Sequence, residues 1–78
     1  MIEVRRTAEF IEWLTELRDV AARARIAKRI DRIAADNLGD HKSVGGGVLE
    51  LRFTFGPGYR VYFTRRGDTI VILLCGGD

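Results

Sequence analysis

An α+β fold, ordered β-α-α-β-β-β, is predicted by a change of hydrophobic period part-way along the chain. Apolar residues recur at helical spacing from Phe10 to Ile33 and at alternate positions from Leu49 to Phe63, the patterns of amphipathic helices and half-buried strands. The segment between them, "NLGDHKSVGGG", is polar and rich in glycine. A helical hairpin packed on one face of an antiparallel sheet buries both apolar tracts.

The elements follow in order. Residues 2–6 alternate briefly at Ile2 and Val4 and suit a short strand. Thr7 is placed to cap a helix that carries Phe10, Ile11, Leu14 and Leu17 and runs to about Arg18. A second helix starts at Asp19 or Val20, with Ile26, Ile30 and Ile33 as its buried stripe; Ala22, Ala27 and Ala34 admit a close neighbour. Asn37 and Gly39 end it, the residue types of a left-handed cap. Strands are expected at 48–55, 59–65 and 69–75, joined by "GPG" and "RGDT".

Register follows from matching the apolar faces. A three-residue loop at 56–58 pairs Phe55 with Tyr59, Phe53 with Val61 and Leu51 with Phe63. Arg52 then faces Tyr62, and Thr54 faces Arg60, on the opposite surface. A two-residue turn at Gly67-Asp68 sends Ile70, Ile72 and Leu74 to the core. Val71, Leu73 and Cys75 are then left beside Arg52, Arg60 and Tyr62, an uncovered apolar row suited to a homodimer or another partner.

Composition narrows the function classes. With 78 residues, 46% of them apolar, the chain forms one domain, residues 1–78, with a real core. A net charge of +2 does not mark a general nucleic-acid binder, so anion binding must come from local clustering. One cysteine and one histidine give neither an internal disulfide nor a zinc ligand set. No apolar run reaches membrane-spanning length, and "MIEVRRTAEF" lacks the layout of a secretory signal. A cytoplasmic protein that binds no membrane, metal or cofactor is the expectation.

Arg52, Arg60 and Tyr62 on one sheet face suit a phosphate, because guanidinium groups stay charged and bind phosphate bidentately; the alternative is an ordinary solvated polar face. Glu50 shares that face, placed either to orient an arginine or simply to neutralise charge. His41 and Lys42 fall in the loop before the sheet, His41 as a candidate acid or base. Arg25, Arg29 and Arg32 share one side of the second helix, which suits contact with a nucleic-acid phosphate backbone; the other reading is a solvated helix face. Gly45-Gly46-Gly47 is no phosphate-binding loop, since no Lys-Ser/Thr pair follows; it reads as flexibility before a strand.

The stretch "GVLELRFTFGPGYRVYFTRRGDTIVILLCGGD", preceded by "FIEWLTELRDVAARARIAKRIDRI" and "NLGDHKSVGGG", resembles the RelE/ParE superfamily of type II toxins, in particular its HigB-like addiction module killer protein branch. The resemblance covers nearly the whole chain. It implies a bacterial toxin with a curved antiparallel sheet, helices on one face and an active surface on the other. It further implies messenger-RNA cleavage on the ribosome by 2′-hydroxyl attack without metal, and a cognate antitoxin that blocks toxicity. By position, Arg52 matches the arginine of the family's E-L-R strand and Arg60 that of its Y-R-V strand, both on the scissile phosphate. Tyr62 matches a frequently aromatic position that stacks on or orients a base, and Lys42 a commonly basic one. Such toxins usually continue past "CGGD" with a lysine and a C-terminal helix. The domain thus reads as truncated, with that helix absent, and RNA cleavage is expected provided the segment is not essential. A gyrase-inhibiting toxin of ParE type, or an inactive interaction domain, is the alternative.

Overall fold

In the computed structural model, which describes residues 2–67 and 70–77, each helix begins at a side chain that accepts from a free backbone N–H of the first turn. The Thr7 hydroxyl accepts from the Phe10 N–H at 3.2 Å and opens α1, Ala8–Glu16. The Asp19 carboxylate accepts from the Ala22 N–H at 3.1 Å and opens α2, Val20–Ala34. Beyond Ala35 the backbone turns left-handed at Asp36, φ 63°, ahead of the expected Asn37 and Gly39, of which Gly39 is also left-handed at φ 70°. Asp36 N–H donates to the Ile33 carbonyl at 2.8 Å and Asn37 N–H to that of Arg32 at 2.9 Å. This pair of bonds makes a Schellman cap, and aspartate tolerates its left-handed position better than most residues do.

The strands are β1, Glu3–Arg6; β2, His41–Gly45; β3, Val48–Arg52; β4, Arg60–Arg66; and β5, Ile70–Gly77. They form one five-stranded sheet in the order β1-β5-β4-β3-β2. The sheet is mixed rather than antiparallel, because β2 to β5 form a meander that brings β5 beside β1 in parallel. The segment read as a loop at His41 and Lys42 is a strand. The glycines after it make a hairpin turn, with Gly45 paired to Val48 and both Gly46 and Gly47 at positive φ, as a primed two-residue turn requires.

Between β3 and β4 the register differs from the expected one by two residues. Arg52 pairs with Arg60, Leu51 with Val61 and Glu50 with Tyr62. The Phe53 N–H donates to the Tyr59 carbonyl at 3.0 Å, so the loop is Thr54–Gly58 rather than three residues. An even shift leaves every side chain on its face and changes only its neighbours.

Between β4 and β5 the shift is odd, and it reverses the faces. Arg66 pairs with Ile70, where a two-residue turn would pair it with residue 69. The expected turn residue Asp68, the strand start at Thr69 and the side chain of Ile70 lie outside the described residues. Val71 and Leu73 are fully buried in the core with Phe63, and Ile72 takes the outer place opposite Thr64. The uncovered apolar row of Val71, Leu73 and Cys75 is therefore not present as such: two of its members lie under the helices. A bulge between Tyr62 and Phe63 then resets the register, so that Cys75 pairs with Tyr62 and stays exposed on the outer face.

Thr7 ties α1 to this bulge. Its hydroxyl donates to the Leu74 carbonyl at 2.7 Å, and its N–H donates to that of Leu73 at 3.1 Å. Phe10 from α1, Ala22, Ile26, Ile30 and Ile33 from α2, and Leu51, Val61 and Phe63 from the sheet fill the core.

Gly76, paired with Val61 on the core side, lies beneath the Trp13 ring, and a Cβ there would sit 2.2 Å from it. Trp13 is flanked by Phe10 and Tyr59, with ring centroids 6.1 and 6.3 Å away, and cannot withdraw without opening that cluster. Gly76→Ala is expected to destabilise the fold by about 1–3 kcal/mol through overpacking. Urea unfolding checks this. The cost should fall sharply when Trp13 is first replaced by alanine, and an undiminished cost would remove the ring as its cause.

Candidate nucleic-acid interface

The register collects five of the residues singled out in the sequence on the sheet face that carries no helix. Arg52 and Arg60 are direct partners across β3 and β4. In the adjoining row, Lys42 pairs with Glu50 and Glu50 with Tyr62, which continues to Cys75. Directly opposed residues of an antiparallel pair share a face, so Lys42, Glu50, Tyr62, Arg52 and Arg60 form a patch two rows deep. His41 alternates to the other side of β2, its Nδ1 2.8 Å from the Gly39 carbonyl oxygen.

Charge placement within the patch is specific. Like charges directly opposite each other destabilise a sheet, and Arg52 opposite Arg60 is such a pair. Each is tethered by its own carboxylate: Arg52 Nε lies 3.7 Å from Asp40 Oδ2, and Arg60 Nε lies 4.0 Å from Glu50 Oε2. Both guanidinium groups remain about half exposed, whereas the Glu50 side chain is 7% exposed. A buried carboxylate thus sits at the centre of a cationic, solvent-facing surface. The arrangement leaves donors free to take a bridging anion between the two arginines.

The three arginines of α2 do not act as one set. A groove of about 460 Å³ runs between α2 and the end of β3, with Arg25, Lys28, Arg32, Arg52 and Thr54 along its walls. Arg29 lines it too, but its guanidinium is engaged: it donates to the Asp40 carbonyl at 2.5 Å, to that of Leu38 at 3.5 Å, and to that of Arg52. It also stacks 4.7 Å above the Phe53 ring, as Arg25 does 4.8 Å above Phe55. Burial lowers the Arg29 pKa; nearby Asp40 opposes that shift and Arg32 adds to it. Asp36 and Asp40 are engaged as well, with Arg65 at 3.1 Å and with Arg52. The groove and the part Phe53, Phe55 and Lys28 play in it escaped the sequence reading, although the spacing of Arg25, Lys28, Arg29 and Arg32 already marks one helix face.

Among known proteins, the chain is 47% identical over 77 residues to an "Uncharacterized protein" of Haemophilus influenzae; the match takes in 99% of this chain and 78% of that protein. The chain belongs to that protein's family. No protein-family model matches the chain, and no solved structure does.

Within this member of the family, Arg29 is a structural staple rather than a ligand residue. A planar guanidinium can donate to several carbonyls at once, which one ammonium group cannot do in the same geometry. Arg29→Ala should cost about 2 kcal/mol, the scale for losing charge-assisted bonds at a partly exposed site. Arg29→Lys should recover little of it. Thermal or urea unfolding of both variants measures the effect, and a lysine variant as stable as wild type would contradict the staple.

Proposed function

We propose that this protein is a toxin of the RelE/HigB kind that cleaves messenger RNA on the ribosome, acts in the cytoplasm and is held in check by a small antitoxin. The observation that carries the reading is the Arg52–Arg60 pair on the open sheet face. Each arginine has one carboxylate beside it, yet both guanidinium groups stay about half exposed, so an anion held between the two like charges gains from both. The reading is further supported by the sequence resemblance, which puts the scissile phosphate at these same two arginines.

In this reaction the 2′-hydroxyl oxygen attacks the adjacent phosphorus as its proton leaves to a base. The bond from phosphorus to the 5′-oxygen breaks, and that oxygen takes up a proton. The products are a 2′,3′-cyclic phosphate and a 5′-hydroxyl. The transition state carries extra negative charge on the phosphoryl oxygens, where fixed, permanently charged donors act most strongly. Arg52 and Arg60 supply them. Glu50 orients Arg60, Tyr62 stacks on or orients the base beside the cleaved bond, and Lys42 adds a cation at the far end of its row.

Arg52→Ala and Arg60→Ala should each reduce RNA cleavage by roughly 10²–10³-fold, the usual effect of removing one transition-state donor. Both lie outside the core and should leave the fold intact. Cleavage of ribosome-bound messenger RNA and relief of growth arrest in bacteria measure the effect. Full toxicity in both folded variants would overturn the assignment of these residues. Arrest accompanied by gyrase inhibition and intact RNA would replace the ribonuclease reading with the ParE-type one.

A further inference from the structure

The groove beside Arg52 carries more positive charge than the proposed cleavage uses. We propose that it binds the phosphate backbone of single-stranded RNA running off the open sheet face, with Arg52 as the residue common to both surfaces. Phosphate binding in the groove stands on its own; the path of the strand from groove to sheet rests on the function proposed above.

Charge comes first. Five cationic side chains line the groove, and Asp40 is its one acidic residue. Asp40 already faces Arg52, and Arg29 is occupied by three carbonyls. Lys28 and Arg32 are exposed, and neither is among the ion pairs of the described residues. They stand four apart on α2, where like charges repel, so both gain from an anion placed between them. The protein as a whole carries only +2. The attraction is therefore local to this groove, as a directed contact requires, and not a diffuse field.

Shape and continuity favour a nucleic acid. The groove is of the scale that accepts small-molecule or nucleotide-sized groups. Phe53 and Phe55 line it, their rings 5.7 Å apart and edge-on, each carrying a stacked guanidinium. Arg52 projects from the strand that borders both surfaces and lines this groove while pairing with Arg60 on the sheet. An extended polyanion with regularly spaced charges can follow such a track, whereas a compact anion would occupy one end of it.

The test measures binding, with cleavage suppressed. Fluorescence anisotropy would compare a trinucleotide and a nonanucleotide of 2′-O-methyl RNA, on wild type, the Lys28→Gln/Arg32→Gln double variant and Arg60→Ala. Circular dichroism would confirm that each is folded. Wild type should bind the longer oligonucleotide more tightly. The double variant should lose that preference, and its slope of log affinity against log salt should become shallower by about 1.4, the value for two lost contacts to a single strand. Arg60→Ala should weaken both oligonucleotides while keeping the length preference. Wild-type affinity and salt slope in the folded double variant would overturn the inference, whether or not the protein cleaves RNA. An acidic polypeptide that displaces the nonanucleotide at matched charge, and loses affinity in the same variant, would overturn it in favour of a protein partner. Loss of affinity in the double variant together with an absence of cleavage by wild type would uphold the groove and count against the ribonuclease.

Discussion

The guanidinium of Arg29 joins three parts of the chain that the local sequence does not bring together. It projects from α2, stacks on Phe53, and bonds carbonyls in the connection before β2 and at the end of β3. Without it, the Leu38–Asp40 segment would hold few fixed contacts with the helix above it. That segment sets the start of β2: the Arg52 N–H donates to the Asp40 carbonyl at 3.1 Å, and the β2–β3 ladder continues from there. The positions of Lys42 and Arg52 are thus inherited from a residue on a helix. One desolvated cation is kept charged because carbonyl oxygens replace the water it loses.

How far the sequence spoke for the structure depends on whether a pattern had one solution or two. The helices were legible because their caps, Thr7 and Asp19, and their isoleucine stripe agree with one another. The pairing of β3 with β4 was legible to within its faces, since Leu51, Phe53, Tyr59, Val61 and Phe63 alternate strictly. Its exact partners were not, because Thr54–Gly58 closes a longer loop than "GPG" suggests. The last strand, "IVILLC", is apolar at every position, so the alternation that would choose its face is missing. A slip of one residue therefore exchanged Val71 and Leu73 with Ile72 and Leu74. Lys42 was missed as a strand residue for the opposite reason: β2 is exposed along its length and carries no hydrophobic period at all.

The outer face and the groove do different physical work with the same residue types. On the sheet, Arg52 and Arg60 are fixed by backbone pairing and by their carboxylates, which suits placement of a charge to within the tolerance a reaction needs. In the groove, Lys28 and Arg32 lie on an exposed helix surface, where flexible cations would supply affinity in the proposed RNA contact with little positional demand. Arg25 and Arg29 bridge the two styles, since stacking on Phe55 and Phe53 holds each guanidinium in place. A small protein with a net charge of only +2 can in this way present one strongly cationic side.

The parallel pairing of β1 with β5 has a consequence for how the chain acquires its shape during synthesis. Thr7 and Leu74, which bond to each other, are separated by 67 residues. Everything between them must be made before the first strand finds its neighbour and before the first helix finds the strand it rests on. Until then Phe10 and Trp13 have no sheet to cover, and the nascent helical hairpin is left to its own weak contacts. Closure over so long a separation is slow compared with helix formation. The meander from β2 to β4 can assemble early, whereas β4, which carries Arg60 and Tyr62, gains its second neighbour only when β5 arrives.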